Sequence, residues 1–390
     1  MQKHSLKKPT FIRCSTLFMC VSILGLFANS NNGFFMAGGY IGFWLMTLSF
    51  AFELSLIKTF QNNKFCIIGI VFCISVLCAG LICLVKSNIL ELGQLVTFLI
   101  FAVAFIETGI YPFRKKEVNA ILICCIISGL ILSFLVITQR AIYHNDITRR
   151  SYAVFGHGML DPNFLSSFIA FCSFISAHYF LKNKYNLFNV IAILIMAYAI
   201  FLTGSRAAFL YLGIGYLFAL IEFIRINKQN AGRVFAILCF ASIVLAIGGY
   251  AIYTRYLDSF ARFFLNIRDY ISDGSNQKRL HHWETALKAI FRAPLLGHGT
   301  TNEAIILNDT ISDTSHNTFL SFYIRLGLIG LLSFLSIITN LMADARKKKN
   351  IFIWGMILGF ILNIFISPAT MSYVTWIPLM VILIMLKFDT

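Results

Sequence analysis

Residues 315–330 read Ser-His-Asn-Thr-Phe-Leu-Ser-Phe-Tyr-Ile-Arg-Leu-Gly-Leu-Ile-Gly. A polar segment that begins near Arg255 ends here, and an apolar segment long enough to span a bilayer follows. This change places His316 at a predicted membrane surface, with Arg325 about two helical turns below it. Because ionisable side chains are costly in lipid, both residues are functional candidates.

The composition indicates a membrane protein. The chain has 390 residues, of which 58% are hydrophobic and 12% charged. No soluble fold has enough interior for that much apolar surface. The sequence therefore predicts an all-α, polytopic membrane protein, a single membrane domain over residues 1–390, with about twelve transmembrane helices and a large outer helical loop at residues 254–317. The predicted spans are Phe11–Phe27, Phe34–Glu53, Phe65–Val85, Leu92–Ile110, Val118–Ile137, Asn163–Leu181, Leu187–Leu202, Arg206–Ile224, Val234–Tyr253, Thr318–Asn340, Ile351–Ile366 and Met371–Leu386.

The charge pattern predicts the orientation. The chain carries 32 Lys and Arg against 16 Asp and Glu, a net charge of +16. Most of these cations fall in alternate loops, so the positive-inside rule places both termini in the cytoplasm. His316, Arg206 and the long loop then face outward. Cytoplasmic loops and a site for an anionic ligand account for the excess charge, so no nucleic-acid partner is predicted.

Cofactor and metal signatures are missing from the sequence. The ten cysteines lie within or at the edges of apolar spans, so we expect free, buried thiols. His281 and His282 are adjacent on a predicted helix and point about 100° apart, which does not suit a zinc site. Neither a Walker loop nor a dinucleotide fingerprint occurs. We predict no metal and no cofactor.

The outer loop is predicted to be largely helical. Aromatic residues recur at helical spacing over Leu257–Tyr270, and Arg279–Phe291 forms a second amphipathic pattern. Pro294 is predicted to end that helix, and Gly297-His298-Gly299 to form a flexible turn. Helices of this kind can lie on the bilayer surface above a site. Leu280, Trp283, Leu287 and Ile290 are predicted to share one face of the second helix.

Two cationic positions suit an anion such as a phosphate. Arg206 follows the tight turn Thr203-Gly204-Ser205 at the start of a helix, where backbone N–H groups favour the same ligand. Its alternative role is to extend towards lipid headgroups. Lys278 and Arg279 begin the second loop helix, where the alternative is a solvated first turn beside anionic lipid.

The remaining candidates combine structural and chemical roles. The imidazole of His316 can accept a proton from a hydroxyl group near neutral pH, or it can cap the following helix, with Asn317 in support. Asp161-Pro162-Asn163 reads mainly as a helix start, with Asp161 as cap. Arg325 is expected to pair with Glu303 or with a substrate phosphate.

These motifs together resemble the O-antigen ligase and O-antigen polymerase superfamily. The resemblance rests on Gly204-Ser205-Arg206, Gly297-His298-Gly299 and the 315–330 segment quoted above, and it extends over about residues 200–340. Asp161-Pro162-Asn163 is also similar to that group. The resemblance implies a metal-independent, inverting glycosyl transferase whose donor is a glycan on undecaprenyl pyrophosphate. It also implies that Arg206 and Arg279 hold the pyrophosphate, with Lys278 or Arg292 as substitutes for Arg279, and that His316 is the catalytic histidine.

We therefore expect a polymerase of lipid-linked O-antigen or capsule repeat units, at the periplasmic face of a bacterial inner membrane. The alternative is the ligase, which transfers the glycan to lipid A-core in lipopolysaccharide biosynthesis. Expected partners are the lipid-linked glycan, the acceptor glycan or lipid A-core, membrane lipid and a chain-length regulator protein. A transporter of the lipid-linked sugar, which needs polar residues at mid-membrane and repeated halves, and a non-catalytic scaffold are more distant alternatives.

Overall fold

The computed structural model describes residues 13–24, 42, 44–50, 52, 64–85, 92–138, 153–155, 158–160, 162–182, 187–228, 274–301, 303–307, 314–366 and 373–388. Ten of the twelve predicted spans are helices there: α1 (Cys14–Leu24), α2 (Lys64–Val85), α3 (Leu92–Ile110), α4 (Lys115–Thr138), α5 (Pro162–Lys182), α6 (Leu187–Thr203), α7 (Arg206–Ile226), α10 (Thr318–Lys347), α11 (Ile351–Ile366) and α12 (Tyr373–Phe388). Six of them, α2 to α5, α7 and α10, are long and apolar enough to cross a membrane. The predicted polytopic helical fold is confirmed. The span Val234–Tyr253 and most of Phe34–Glu53 lie outside the described residues, although residues 44–50 are helical.

Four further elements lie in the two segments that are predicted to be outer. Helix α8 (Gly274–Arg292) contains the predicted second loop helix, and α9 (Glu303–Leu307) follows it. Strands β1 (Ala153–Phe155) and β2 (Gly158–Leu160) form an antiparallel hairpin that the sequence did not predict. Six strand residues do not change the all-α class. The predicted helix Leu257–Tyr270 lies outside the described residues.

The cationic ends of the helices meet at one end of the bundle. Lys64, at the start of α2, pairs with Asp344 near the end of α10 at 2.6 Å. The ammonium group of Lys387, near the end of α12, donates to the Thr108 carbonyl near the end of α3 at 2.9 Å. We call this the basic end. The alternation of charge along the sequence thus corresponds to a separation in space.

Helices α7 and α11 pack closely and run antiparallel. A Cβ added at Gly355 would collide with Phe218, and one added at Gly359 would lie 2.7 Å from the Tyr211 ring. Small residues allow this close approach. Helix association in a membrane depends on such packing, because lipid is as apolar as the helix surface and the hydrophobic effect does not drive the helices together. The start of α7 therefore lies beside the end of α11. Both lie at the end of the bundle opposite the basic end, which we call the His316 end because α10 begins there.

Helix α10 is broken at Gly327, whose φ of 67° and ψ of −168° are not helical. The break frees backbone groups inside the protein, and the segment 294–299 pairs with them. His298 N–H donates to the Ile324 carbonyl at 2.8 Å, and Gly299 N–H donates to the Arg325 carbonyl at 3.0 Å. Non-helical backbone at membrane depth is tolerated when protein satisfies it in this way.

The Gly297-His298-Gly299 segment is therefore not a flexible turn, and that prediction was wrong. A Cβ on Gly297 would collide with the backbone of Arg325, and one on Gly299 would collide with Cys83 of α2. Both glycines have positive φ, 71° and 102°, which favours glycine. The glycines allow the loop to fit between α2 and the broken helix.

A buried aromatic cluster supports the His316 end from below. Trp376 of α12 is fully buried, and its ring lies parallel to that of Phe101 at 6.0 Å between centroids. Phe72 of α2 and Phe322 of α10 contact it edge-on at 5.4 and 6.5 Å. Large rings bury much surface with little loss of side-chain freedom, which gives α10 a rigid base.

Candidate functional site

His316 lies on an unusual backbone immediately before α10. Its φ is 48°, in the left-handed region that few non-glycine residues adopt, and its side chain is half-buried. Asn317, rather than the histidine, is the cap: its side-chain oxygen accepts from Phe319 N–H at 2.9 Å and from Leu320 N–H at 3.1 Å. The imidazole is therefore not used to begin the helix. Such a backbone persists only where its surroundings fix it.

Glu303 is the residue that fixes this segment. Its carboxylate is buried and accepts from Ser315 N–H and from the Ser321 hydroxyl, both at 2.8 Å. One hydrogen bond lies just before His316 and the other in the first turn of α10. Charge-assisted hydrogen bonds of this kind are among the stronger ones in proteins. The position of His316 is thus determined from both sides by one carboxylate.

Arg325 lies beneath the same carboxylate. One guanidinium nitrogen is 3.8 Å from Glu303 Oε2, and another donates to Gln94 Oε1 of α3 at 2.8 Å. The residue is only 6% exposed. The sequence predicted Glu303 or a phosphate as its partner, and the carboxylate is present. A buried charge needs such partners because desolvation is costly.

Helix α8 brings a second histidine to His316. The ring centroids of His282 and His316 are 4.9 Å apart, and His282 is buried. Arg279 is half-buried and precedes His282 by three residues, about one helical turn or ~4.5 Å along the axis. Arg279 and His282 thus lie about one turn apart on the same helix, and His282 contacts His316.

The apolar residues predicted to share one face of α8 have different surroundings. Ala286, Ala289 and Ile290 are buried, whereas Leu280 and Leu287 are 60% and 47% exposed. The two leucines therefore face away from the protein, whereas Ile290 packs against it. Phe291, at 81% exposed, continues this outward stripe. An outward apolar stripe suits a helix that lies in the bilayer surface.

Arg206 begins α7 at the same end of the bundle. Gly204 has φ 63°, and the Ser205 hydroxyl accepts from Ala208 N–H at 3.4 Å to cap the helix. This is the tight turn that the sequence predicted. The arginine side chain is half-buried. It therefore stands at a helix N-terminus, where the partial positive charge favours an anion.

Phe365 of α11 links this end to the histidines. Its ring is 5.5 Å from that of Trp283, the neighbour of His282, and 6.4 Å from that of Phe319, three residues after His316. Because α7 runs antiparallel to α11, its first residue Arg206 lies towards the same end as Phe365. The structure thus gathers the starts of α7 and α10 and the middle of α8 at one end.

Two candidate residues lie outside the described part of the chain. Asp161 is one, and the side chain of Lys278 is the other. Among the described residues, no group of three or more His, Cys, Asp or Glu is placed to hold a metal ion. Metal independence remains a prediction.

Sequence reasoning missed three contributions to this site. It considered His282 only as a metal ligand, it assigned Glu303 no contact with the Ser315 backbone, and it did not consider Gln94. The signal for Glu303 was its position at the start of a short helix, 12 residues before Ser315. Nothing in the sequence pointed to Gln94, because 231 residues separate it from Arg325.

Comparisons with known proteins agree with the resemblance. A family model described as O-antigen ligase matches residues 191–335, a region that includes Arg206, Arg279 and His316. An uncharacterized protein of Haemophilus influenzae is 26% identical over 220 residues, which cover 50% of this chain and 55% of that protein. The chain thus spans about half the length of this curated relative. The resemblance to the O-antigen ligase and polymerase superfamily is confirmed over residues 191–335, within a chain that folds as a polytopic helical membrane protein.

Proposed function

We propose that this protein polymerises oligosaccharide repeat units carried on undecaprenyl pyrophosphate, at the periplasmic face of a bacterial inner membrane. The observation that carries the proposal is the fixed position of His316. Its left-handed backbone is held by Glu303, and its ring lies beside α8, one turn from Arg279. The family match over 191–335 supports the reaction class.

In the proposed reaction, the His316 imidazole accepts the proton of an acceptor sugar hydroxyl. The freed oxygen forms a bond to the anomeric carbon of the donor glycan, and the bond from that carbon to the pyrophosphate oxygen breaks. Attack from the face opposite the leaving group inverts the anomeric centre. General base catalysis of this kind typically contributes a factor of ~10²–10⁴.

The departing undecaprenyl pyrophosphate carries the charge that develops. We propose that Arg206, at the start of α7, and Arg279, in the second turn of α8, bind it. Fixed guanidinium donors stabilise such charge without a metal, with roughly 2–4 kcal/mol of barrier lowering for each donor. Arg325 has a different role in this scheme, because its guanidinium binds Glu303 and Gln94.

The ligase is the second candidate, because the matching family model is described as O-antigen ligase. The two activities share the donor and differ in the acceptor. The full chain, purified in detergent, should be given the lipid-linked repeat unit alone and then with lipid A-core. A ladder from the first mixture supports the polymerase, and a product only in the second supports the ligase. No product in either mixture, from protein that unfolds cooperatively, contradicts both.

The assignment of residues is tested in the same assay. His316→Ala and Arg206→Ala should each reduce product formation by at least 100-fold. His281→Ala is the matched control, because this neighbouring histidine is exposed. Normal product from the His316 and Arg206 variants, at wild-type protein levels, would remove them from the site.

A further inference from the structure

A second cationic site lies at the basic end, away from His316. A cavity of about 520 Å³ opens between the ends of α7 and α10 and the start of α11. Arg225, Arg346 and Lys349 line it, together with Phe218 and Trp354. The volume is that of a small-molecule site, and its polar lining is cationic.

The cavity has an excess of positive charge. Glu222 pairs with Arg225 at 2.6 Å and offsets that one cation. Within the described part of the chain, the side chains of Arg346 and Lys349 make no ion pair. Lys349 has φ 52°, a left-handed conformation, and helix α11 begins two residues later. The two remaining cations and the positive helix start together favour an anion.

The surroundings favour an anion that is attached to acyl chains. Trp354 packs on Phe218 at 5.4 Å between ring centroids, and amphipathic tryptophan is enriched where a membrane meets water. On the adjacent stripe of α7, Leu217, Ile221 and Ile224 are 54%, 40% and 42% exposed. Apolar side chains exposed at that depth suit contact with lipid. A soluble phosphate has no acyl chains and would make no contact with this apolar stripe.

We propose that this cavity binds the phosphate-bearing headgroup of an anionic phospholipid, whose acyl chains lie along the exposed stripe of α7. Arg346 and Lys349 contact the phosphate, and Trp354 lies at the level of the glycerol backbone. Because the positive-inside rule predicts the basic end to be cytoplasmic, the lipid belongs to the cytoplasmic leaflet. The site would fix the junction of α7, α10 and α11 in the membrane.

The first test is native mass spectrometry of the full chain with phosphatidylglycerol or phosphatidylcholine. Phosphatidylglycerol should bind more tightly. The double variant Arg346→Gln/Lys349→Gln should weaken it about 25-fold, given roughly fivefold for each cation. The matched control is Lys228→Gln/Lys347→Gln, which removes the same charge at the same end from exposed residues outside the cavity lining. Equal weakening in both double variants, or equal binding of the two lipids, overturns the proposal.

A second test measures lipid contact in the wild-type protein and does not depend on the folding of the double variant. Phosphatidylglycerol with bromine high on its acyl chains should quench Trp354 fluorescence, and Trp354→Phe should remove the quenched component. Lack of quenching overturns the proposal. Displacement of the lipid by millimolar inorganic phosphate also overturns it, because the site would then recognise a free anion.

Discussion

Glu303→Gln is the sharpest test of how the site is held together. The substitution keeps the shape of the side chain and removes its charge. The carboxylate now accepts from Ser315 N–H and the Ser321 hydroxyl and lies 3.8 Å from an Arg325 nitrogen. A glutamine has one acceptor oxygen, so its amide nitrogen would face at least one of these donors. Within the described part of the chain, Arg325 would then keep its hydrogen bond to Gln94 and lose its contact with the Glu303 carboxylate.

The magnitude follows from burial. At about 4 Å, with an effective dielectric constant near 20, the attraction between opposite unit charges is roughly 4 kcal/mol. Loss of one hydrogen-bond acceptor from a buried donor adds about 1–3 kcal/mol. The net loss of stability is smaller than the sum of these two energies, because folding no longer has to desolvate a charged carboxylate. Removing one partner of a buried pair typically costs ~3–5 kcal/mol, and we expect Glu303→Gln to fall within that range.

Reversible chemical unfolding of the full chain in mild detergent measures this loss. The matched control is Glu284→Gln on the outer face of α8, which removes an exposed carboxylate paired with Lys288. The pKa of Glu284 is lowered by the hydrogen bond from Lys288, but the group is fully exposed, so no measurable change in stability is expected.

A double-mutant cycle with Arg325→Gln separates the pair from its neighbours. If the two charges interact as the structure indicates, the double variant should lose less stability than the two single losses added together, with a coupling above about 1 kcal/mol. A coupling near zero, or a Glu303→Gln variant as stable as the control, would refute the inferred role of Glu303.

Three further predictions concern the same end of the bundle. Gly327→Ala should strongly lower the thermal unfolding temperature in detergent, because Gly327 has a positive φ and the added Cβ would collide with the Leu295 carbonyl. Gly213→Ala is the control: no atom lies within 4 Å of its added Cβ, and the substitution should raise the unfolding temperature slightly. Asn317→Ala should cost about 1 kcal/mol of stability in the unfolding assay through loss of the cap. His282→Ala should reduce glycan transfer in the detergent assay by at least tenfold, because its ring packs beside His316, with exposed His281→Ala unchanged. Three results would contradict these predictions: a Gly327→Ala variant as stable as Gly213→Ala, an Asn317→Ala variant as stable as the wild type, or a His282→Ala variant as active as His281→Ala.

The spans were predictable because their signal is local. A run of about 20 apolar residues specifies a membrane helix without regard to its neighbours, and the charges of alternate loops specify its direction. Ile351–Ile366 was predicted to the residue. Turn and cap chemistry is local as well, which is why the Gly204-Ser205 turn before α7 was found.

The packing of the loop could not be predicted, because it depends on residues distant in sequence. The motif around Gly327 reads as continuous helix, and nothing nearby reveals that segment 294–299 pairs with the freed backbone groups. From the sequence alone, Gly297 and Gly299 predict a flexible turn. In the structure they allow close approach instead, which is the other use of glycine.

The apolar pattern of α8 predicted the helix but not which of its residues pack against the protein. In water, the large apolar side chains of an amphipathic helix turn towards the protein. At a membrane surface, lipid accepts Leu280 and Leu287 as readily as the protein does, and close packing then favours small residues such as Ala286 and Ala289. An amphipathic pattern in a membrane protein therefore identifies the helix without identifying which face contacts the protein.

The network around Glu303 also bears on which cations are available to a substrate. A guanidinium that already satisfies a carboxylate and an amide would have to break both contacts to bind pyrophosphate, and the carboxylate would then repel the ligand. Arg206 begins α7, Arg279 is the sixth residue of α8, and both are only half-buried. In the proposed reaction, Arg325 therefore maintains the segment that carries His316, and Arg206 and Arg279 bind the anionic donor.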